Sequence, residues 1–252
     1  MTLQVESHHD GQVAVLRMNH GKGNVLDATL VSALRSAFAE LSAPQLKLVV
    51  FASKGRHFSF GASVEEHLPD RVADMLGGFH ALFRELEDLG VPTCALVSGA
   101  CLGGGFELAT WCGRVFATPT AKLGVPEVTL GVFPPIAALG LHWRTGGNTA
   151  TELVTTGRQL DGQQAVALGV ADECVEDLDA AWRAWFDTHL APLSAPAVRF
   201  AWRASRRPMK RALHDDLPEL ERLYLDDLMA CADPVEGLSA FLERRTPTWS
   251  HR

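Results

Sequence analysis

The stretch Val91-Pro-Thr-Cys-Ala-Leu-Val-Ser-Gly-Ala-Cys-Leu-Gly-Gly-Gly-Phe-Glu-Leu-Ala109 decides how the chain is read. Its apolar run up to Val97 is short and bounded, as a buried strand is. Glycines then crowd the turn, and an apolar helix opens around Phe106. The same alternation extends outward on both sides. Leu46 to Phe51 reads as a buried strand, followed by the loop Ser53-Lys-Gly-Arg-His57. A helix runs from about Arg71 to Leu89 and stops at Gly90, and Val115 to Thr118 gives one more short strand. Strands alternating with helices imply βαβ units and an at least partly parallel sheet.

Further out, Leu3 to Ser7 and Val13 to Met18 flank Asp10-Gly11, a dipeptide that supplies the positive φ angles of a tight hairpin. Asp27 is placed to cap a helix carrying Leu30, Leu34, Phe38 and Leu41 at helical spacing. Beyond about residue 135 helices dominate. Asp161-Gly-Gln-Gln164 is a capping-box pattern, with Gly169 suited to the helix end. Asp233-Pro-Val-Glu236 reads as another helix start, proline at the first helical position and a carboxylate returning to the cap. The expected organisation is an α/β core over 1–195 with a helical region over 196–252.

Composition narrows the function classes. An apolar fraction of 47% in 252 residues describes an ordinary globular chain with a sizeable core. A net charge of −7 disfavours general affinity for nucleic acid or anionic membranes, so a bound phosphate needs a local cluster of N–H groups and cations. The five cysteines, Cys94, Cys101, Cys112, Cys174 and Cys231, are scattered without a C-x-x-C pair and read as buried free thiols of a reducing compartment. No apolar run reaches the roughly 18 residues of a membrane span. The polar start MTLQVESHHDGQ lacks the layout of a signal peptide, which predicts a cytoplasmic location. His8-His9 beside the turn is expected to be exposed. His57, His67, His80 and His142 lack metal-ligand spacing, so no metal is expected. No G-x-S-x-G elbow supports a serine hydrolase.

Two glycine-bearing loops carry the chemistry. One is His57-Phe-Ser-Phe-Gly-Ala-Ser-Val-Glu65; the other is Ser98 to Ala109. Successive glycines at a helix head bare N–H groups where the helix dipole adds positive character, a place for an anion or a developing oxyanion. Tight helix-to-sheet packing explains such glycines equally well, and the spacing fits neither a P-loop nor the dinucleotide fingerprint. Glu107 lies inside the apolar helix and Glu127 follows Pro126 in Lys122-Leu-Gly-Val-Pro-Glu-Val128. Carboxylates embedded in apolar sequence suit general acid–base work, although a paired or capping carboxylate reads the same way.

The combined pattern Phe-x-x-Gly-Ala-x-x-x-Glu, Leu-Gly-Gly-Gly-x-Glu-Leu-Ala and Leu-Gly-x-Pro-Glu-x-x-Leu-Gly131 resembles the enoyl-CoA hydratase/isomerase (crotonase) family, over nearly the whole chain. The resemblance implies a crotonase-like (ββα)n spiral core and a C-terminal helical oligomerisation region, in a homo-oligomer such as a trimer or dimer of trimers. It implies an oxyanion hole from the amides of Ala62 and Gly104, and a water handled by Glu107 and Glu127. Losing one oxyanion donor costs ~10²–10³ in rate. Gly61, Gly103 and Phe133 fall with the substrate site, and Ser63-Val64 near the nucleotide of CoA. The CoA arm is matched by Lys22-Gly-Asn-Val-Leu26, in which Lys22, Asn24 and Val25 are the expected contacts; Lys22 and Arg56 are candidate cations for the phosphates, with a merely solvated surface cation as the preferred alternative. Coenzyme A belongs to the substrate, and no separate cofactor is expected.

Within the family, Phe58 to Pro69 and Leu130-Gly-Val-Phe133 are most similar to hydratases of cyclohexa-1,5-diene-1-carbonyl-CoA, which form 6-hydroxycyclohex-1-ene-1-carbonyl-CoA in aromatic degradation. A linear-chain enoyl-CoA hydratase or an isomerase is the alternative. Two departures reshape the acyl pocket: Ser63 stands where many members carry aspartate, and Phe133-Pro-Pro-Ile-Ala137 replaces a glycine-rich turn. A basic run, Arg199, Arg203, Arg206, Arg207, Lys210 and Arg211 with Trp202 among them, admits an RNA-binding homologue as a non-enzyme reading. A solvated or subunit-contacting face is the reading preferred for it.

Overall fold

The computed structural model describes residues 1–252. The chain opens with β1 (Leu3–His8) and β2 (Val13–Met18), then α1 (Ala28–Glu40), β3 (Leu48–Ser53) and α2 (Val72–Leu89). There follow β4 (Thr93–Val97), β5 (Ala100–Leu102), α3 (Gly104–Trp111), β6 (Arg114–Ala117) and β7 (Lys122–Gly124). Helices α4 (Pro135–Gly140), α5 (His142–Thr145), α6 (Gly147–Thr156) and α7 (Gly162–Ala167) precede the last strand, β8 (Glu173–Cys174). The remainder is helical: α8 (Leu178–His189), α9 (Ala195–Ser205), α10 (Arg207–Asp215), α11 (Leu217–Arg222), a π-helical turn Leu223–Leu228, and α12 (Ala232–Glu243).

Six strands form one sheet in the order β1-β2-β3-β4-β6-β8. Only β1 pairs antiparallel; every other pairing is parallel. Side chains of a strand point alternately to opposite faces, and here both faces are buried. Val49, Phe51, Ala95, Val97, Val115 and Ala117 join the main core beneath α1, α2 and α3. Their alternates Leu48, Val50, Cys94, Leu96 and Phe116 meet Trp182 and Phe186 of α8 on the other face. This two-sided burial is why these strands read as unbroken apolar runs. A second, two-stranded sheet pairs β5 with β7 in parallel and brings the two chemistry-bearing loops together.

Local signals set several boundaries. The Asp27 carboxylate accepts from Leu30 N at 2.9 Å, and α2 ends at Gly90 with φ 63°. Asp161 and Gln164 form the reciprocal capping box. Other expectations need correction. The β1–β2 connection is no two-residue turn: His9, Asp10 and Gly11 all take positive φ, between His8 and Val13 as the last paired residues. His8 and His9 are half-buried, the latter ring 4.7 Å from Phe186, because α8 packs over the hairpin. Asp233 is not a cap. Helix α12 starts before it, and its carboxylate accepts from Ser250 N and His251 N at 2.7 and 2.9 Å, tying down the C-terminal tail. Cys94, Cys101 and Cys112 are buried thiols, whereas Cys231 is exposed and Cys174 partly so.

The basic run is divided by packing. Arg206 is buried and binds Glu87 and the Trp111 carbonyl, and Lys210 pairs with Asp88 at 2.5 Å. Trp202 lies under the Arg206 guanidinium, 4.9 Å from it. Two cations and the aromatic ring are thus engaged within the protein. No helix is long and apolar enough to cross a membrane.

Candidate active site

The head of α3 is assembled by main-chain pairing between loops. Gly103 N donates to Gly124 O at 2.9 Å and Leu102 N to Ser59 O at 3.0 Å, pinning the glycine turn between β7 and the residues after Phe58. Gly103 itself adopts φ 51° and ψ −129°, a conformation open to glycine and strained for other residues. The opposing loop is held by Leu26 N donating to Gly61 O at 2.9 Å and Phe60 N to Gly23 O at 2.8 Å. The two backbones lie in close contact: a Cβ on Gly61 would stand 2.9 Å from Leu102 O, and one on Gly104 3.3 Å from Ala62 N. Neither Ala62 N nor Gly104 N donates to a protein acceptor. Two unpaired amides therefore sit side by side, one from the first turn of a helix, as an oxyanion hole requires.

Glu107 sits one turn into α3 and is 3% exposed. Its Oε1 accepts from Ala137 N at 2.8 Å, in the first turn of α4. Phe133-Pro-Pro-Ile-Ala137 thus aims a helix N-terminus at this acid, the same proline segment that marked a departure in the sequence. Burial pushes the Glu107 carboxyl above its usual range, and the amides of Ala137 and Ile136 partly oppose that rise. Glu127, on the 3-10 turn Pro126–Leu130, is half-buried as a residue but has its carboxylate end sealed: Oε2 is buried without a partner. Burial, with the charge of Glu107 added, holds its carboxyl well above the ordinary range. A Cβ on Gly103 would lie 2.8 Å from Glu127 Oε1, so the acid rests directly on the glycine turn.

A cavity of about 360 Å³ joins these groups. Gly61, Ala62, Val64, Gly103, Gly104, Glu107, Glu127 and Phe133 all line it, together with Phe60, His67, Met75, Leu76, Phe79, Tyr224, Leu238 and Phe241. The walls are mainly apolar, with few polar groups, which is how small-molecule sites are built. Lys22, Asn24, Val25 and Ser63 lie outside that lining. Lys22 is exposed. The Asn24 amide turns inward, its Nδ2 donating to Ser53 Oγ, His57 O and Phe58 O at 2.8 to 3.1 Å, so it braces the loop that carries Ala62. Ser63 Oγ accepts from Glu66 N at 3.3 Å and organises the following turn.

Several lining residues escaped the sequence reading, among them His67, Tyr224 and Phe241. His67, with Nδ1 2.6 Å from Ser63 O, is depressed in pKa by burial and faces the cavity as a neutral ring. Tyr224 and Phe241 arrive from the C-terminal helices, a long-range packing with no local signature. That Tyr224 is the single tyrosine of the chain was the one available hint.

Comparison with known proteins gives the chain's relatives. The enoyl-CoA hydratase/isomerase family pattern matches residues 8–252. A cyclohexa-1,5-dienecarbonyl-CoA hydratase of Thauera aromatica is 45% identical over 251 residues, covering 99% of this chain and 97% of its own. A probable enoyl-CoA hydratase of Mycobacterium bovis is 33% identical over 257 residues, 100% and 98% of the two chains. Among solved structures, an enoyl-CoA hydratase from Mycobacterium avium superposes with a TM-score of 0.88 at 26% identity, covering 99% of each chain.

Proposed function

The chain belongs to the enoyl-CoA hydratase/isomerase family, and from that membership we propose that it is a hydro-lyase adding water to cyclohexa-1,5-diene-1-carbonyl-CoA. The observation that carries the reading is one cavity holding the buried Glu107 and the sealed carboxylate end of Glu127, beside the unpaired amides of Ala62 and Gly104. The 45% likeness to the Thauera hydratase supports the cyclic substrate, and the aromatic wall of Phe79, Phe133 and Tyr224 suits a flat ring.

The mechanism follows from the charge of the pair. Two carboxylates this deeply buried do not both ionise near neutral pH, so they hold one proton between them. The amide of Ala137 favours the ionised form at Glu107, leaving the proton on Glu127. The ionised member takes a proton from water as its oxygen bonds to the carbon β to the thioester. The electron pair moves through the conjugated system to the thioester oxygen, where Ala62 N and Gly104 N stabilise the developing enolate. The protonated member then gives its proton to the far carbon of the diene, and the carbonyl re-forms. Positioned proton transfers of this kind contribute ~10²–10⁴ each. The chemistry is routed through side chains and amides, with CoA entering as part of the substrate.

This reading places the enzyme in the cytoplasm, in aromatic degradation, as a homotrimer or homohexamer. Exposed apolar side chains such as Phe200 and Leu193, at 67% and 50%, are available for subunit contacts. The test is kcat/KM for the cyclic diene thioester against crotonyl-CoA. A preference for crotonyl-CoA would reassign the chain to linear acyl substrates.

A further inference from the structure

Tyr224 lies within the π-helical turn Leu223–Leu228, is 1% exposed, and has a hydroxyl buried with no hydrogen-bond partner in the protein. A buried hydroxyl is normally satisfied, so an orphan facing a ligand cavity points to a partner that arrives with the ligand. The ring lines the acyl cavity and packs against Phe133 at 5.2 Å between centroids. Burial, then the charges of Glu127 and Glu107, push the phenol up, so its proton stays in place, and both acids line the same cavity as the ring. Glu127 Oε2 is the other orphan of the same cavity. Phenol and carboxylate do not bond each other, and both residues line the cavity that takes the acyl group.

The segment bearing Tyr224 is anchored. His80 of α2, wholly buried, binds Glu221 through Nδ1 at 2.7 Å, and Arg84 donates to the same oxygen at 3.1 Å. That cluster fastens the end of α11 to α2 one turn before Tyr224. A π-helical turn inserted there re-aims the following side chains, and such turns recur at functional sites.

We propose that the Tyr224 hydroxyl donates a hydrogen bond to the alcohol oxygen that hydration places on the substrate, making it a specificity-determining group for the hydroxylated thioester. This rests on the hydratase reading above. In the product complex the alcohol oxygen accepts from Tyr224, which satisfies the orphaned phenol. Thioesters without that oxygen leave the phenol unsatisfied.

The test pairs ligands with Tyr224→Phe, which keeps the ring and its packing. Binding of 6-hydroxycyclohex-1-ene-1-carbonyl-CoA is compared with cyclohex-1-ene-1-carbonyl-CoA, and 3-hydroxybutyryl-CoA with butyryl-CoA. The wild type is expected to prefer the hydroxylated member of at least one pair by roughly three- to tenfold, and the variant to lose that preference. The variant should also melt at or above the wild-type temperature, since it sheds an unsatisfied buried hydroxyl; a purely structural tyrosine would lower it. A variant that keeps the preference, or a wild type with none, overturns the inference. A wild type that hydrates neither cyclic nor linear thioesters defeats the hydratase reading instead, and the ligand pairs still judge Tyr224 on their own.

Discussion

Ala137 donates its main-chain N–H to Glu107 Oε1 at 2.8 Å, while Glu127 Oε2, buried in the same cavity, receives nothing. Two acids of one type are thereby given unequal surroundings, which is how a site separates an acid from a base. Replacing either by glutamine keeps shape and removes the proton chemistry. Glu127→Gln and Glu107→Gln should each lower kcat by ~10²–10⁴. CoA affinity should be largely unchanged, since neither residue is assigned to the nucleotide. Steady-state rates with isothermal titration of CoA check this; wild-type turnover in Glu127→Gln would remove that residue from the mechanism.

The pH dependence has a definite sign. Activity needs one acid ionised and its neighbour protonated, so the rate should fall on both the acid and the alkaline side of an optimum. Both carboxyls are raised in the folded state, mainly by burial. The native protein then binds more protons than the unfolded chain above the ordinary glutamate range of about 4.3. Stability should decline as pH rises from that range through the raised folded values. Melting curves of the wild type should show this decline, and the double Glu→Gln variant should show less of it.

How much of this was legible in the sequence depends on the range of the interaction involved. Asp27, Gly90 and the Asp161–Gln164 box announced helix ends because a cap is settled by residues three or four apart. The core strands were visible through apolar runs, though β5 and β7, three residues each, were too short to carry a pattern. The motifs around Ala62, Gly103, Gly104, Glu107 and Glu127 were readable one by one. Their meeting in one cavity depends on β5–β7 pairing, which no local rule contains. Asp233 misled because its capping competitor lies in the tail at Ser250, and Tyr224 was invisible because α11 returns to the core from more than a hundred residues away.

Gly103→Ala probes the turn that supports both parts of the site. The residue holds φ 51°, and an added Cβ would meet Glu127 Oε1 at 2.8 Å. Backbone strain of ~1–3 kcal/mol is expected from the conformation alone. Displacing the acid should cost more in turnover, ~10²-fold or greater, because small misplacements of reacting groups are amplified in rate. A variant with lowered melting temperature and unaltered kcat would show that the turn does not position Glu127.

The last prediction concerns what holds the C-terminal helices on the core. Glu87 at the end of α2 is 6% exposed and accepts from Trp111 Nε1 at 2.8 Å and Arg206 Nε at 3.0 Å. Removing one partner strands a buried charge, so Glu87→Ala or Arg206→Ala should each destabilise the fold by ~3–5 kcal/mol. Replacing both by apolar residues of similar volume, as in Glu87→Leu with Arg206→Met, should recover most of that loss, since no uncompensated charge remains. Chemical denaturation of the three variants checks the pattern. Additive losses in the double variant would mean that the ion pair itself, rather than the avoidance of a lone buried charge, fixes α9 and α10 to α2.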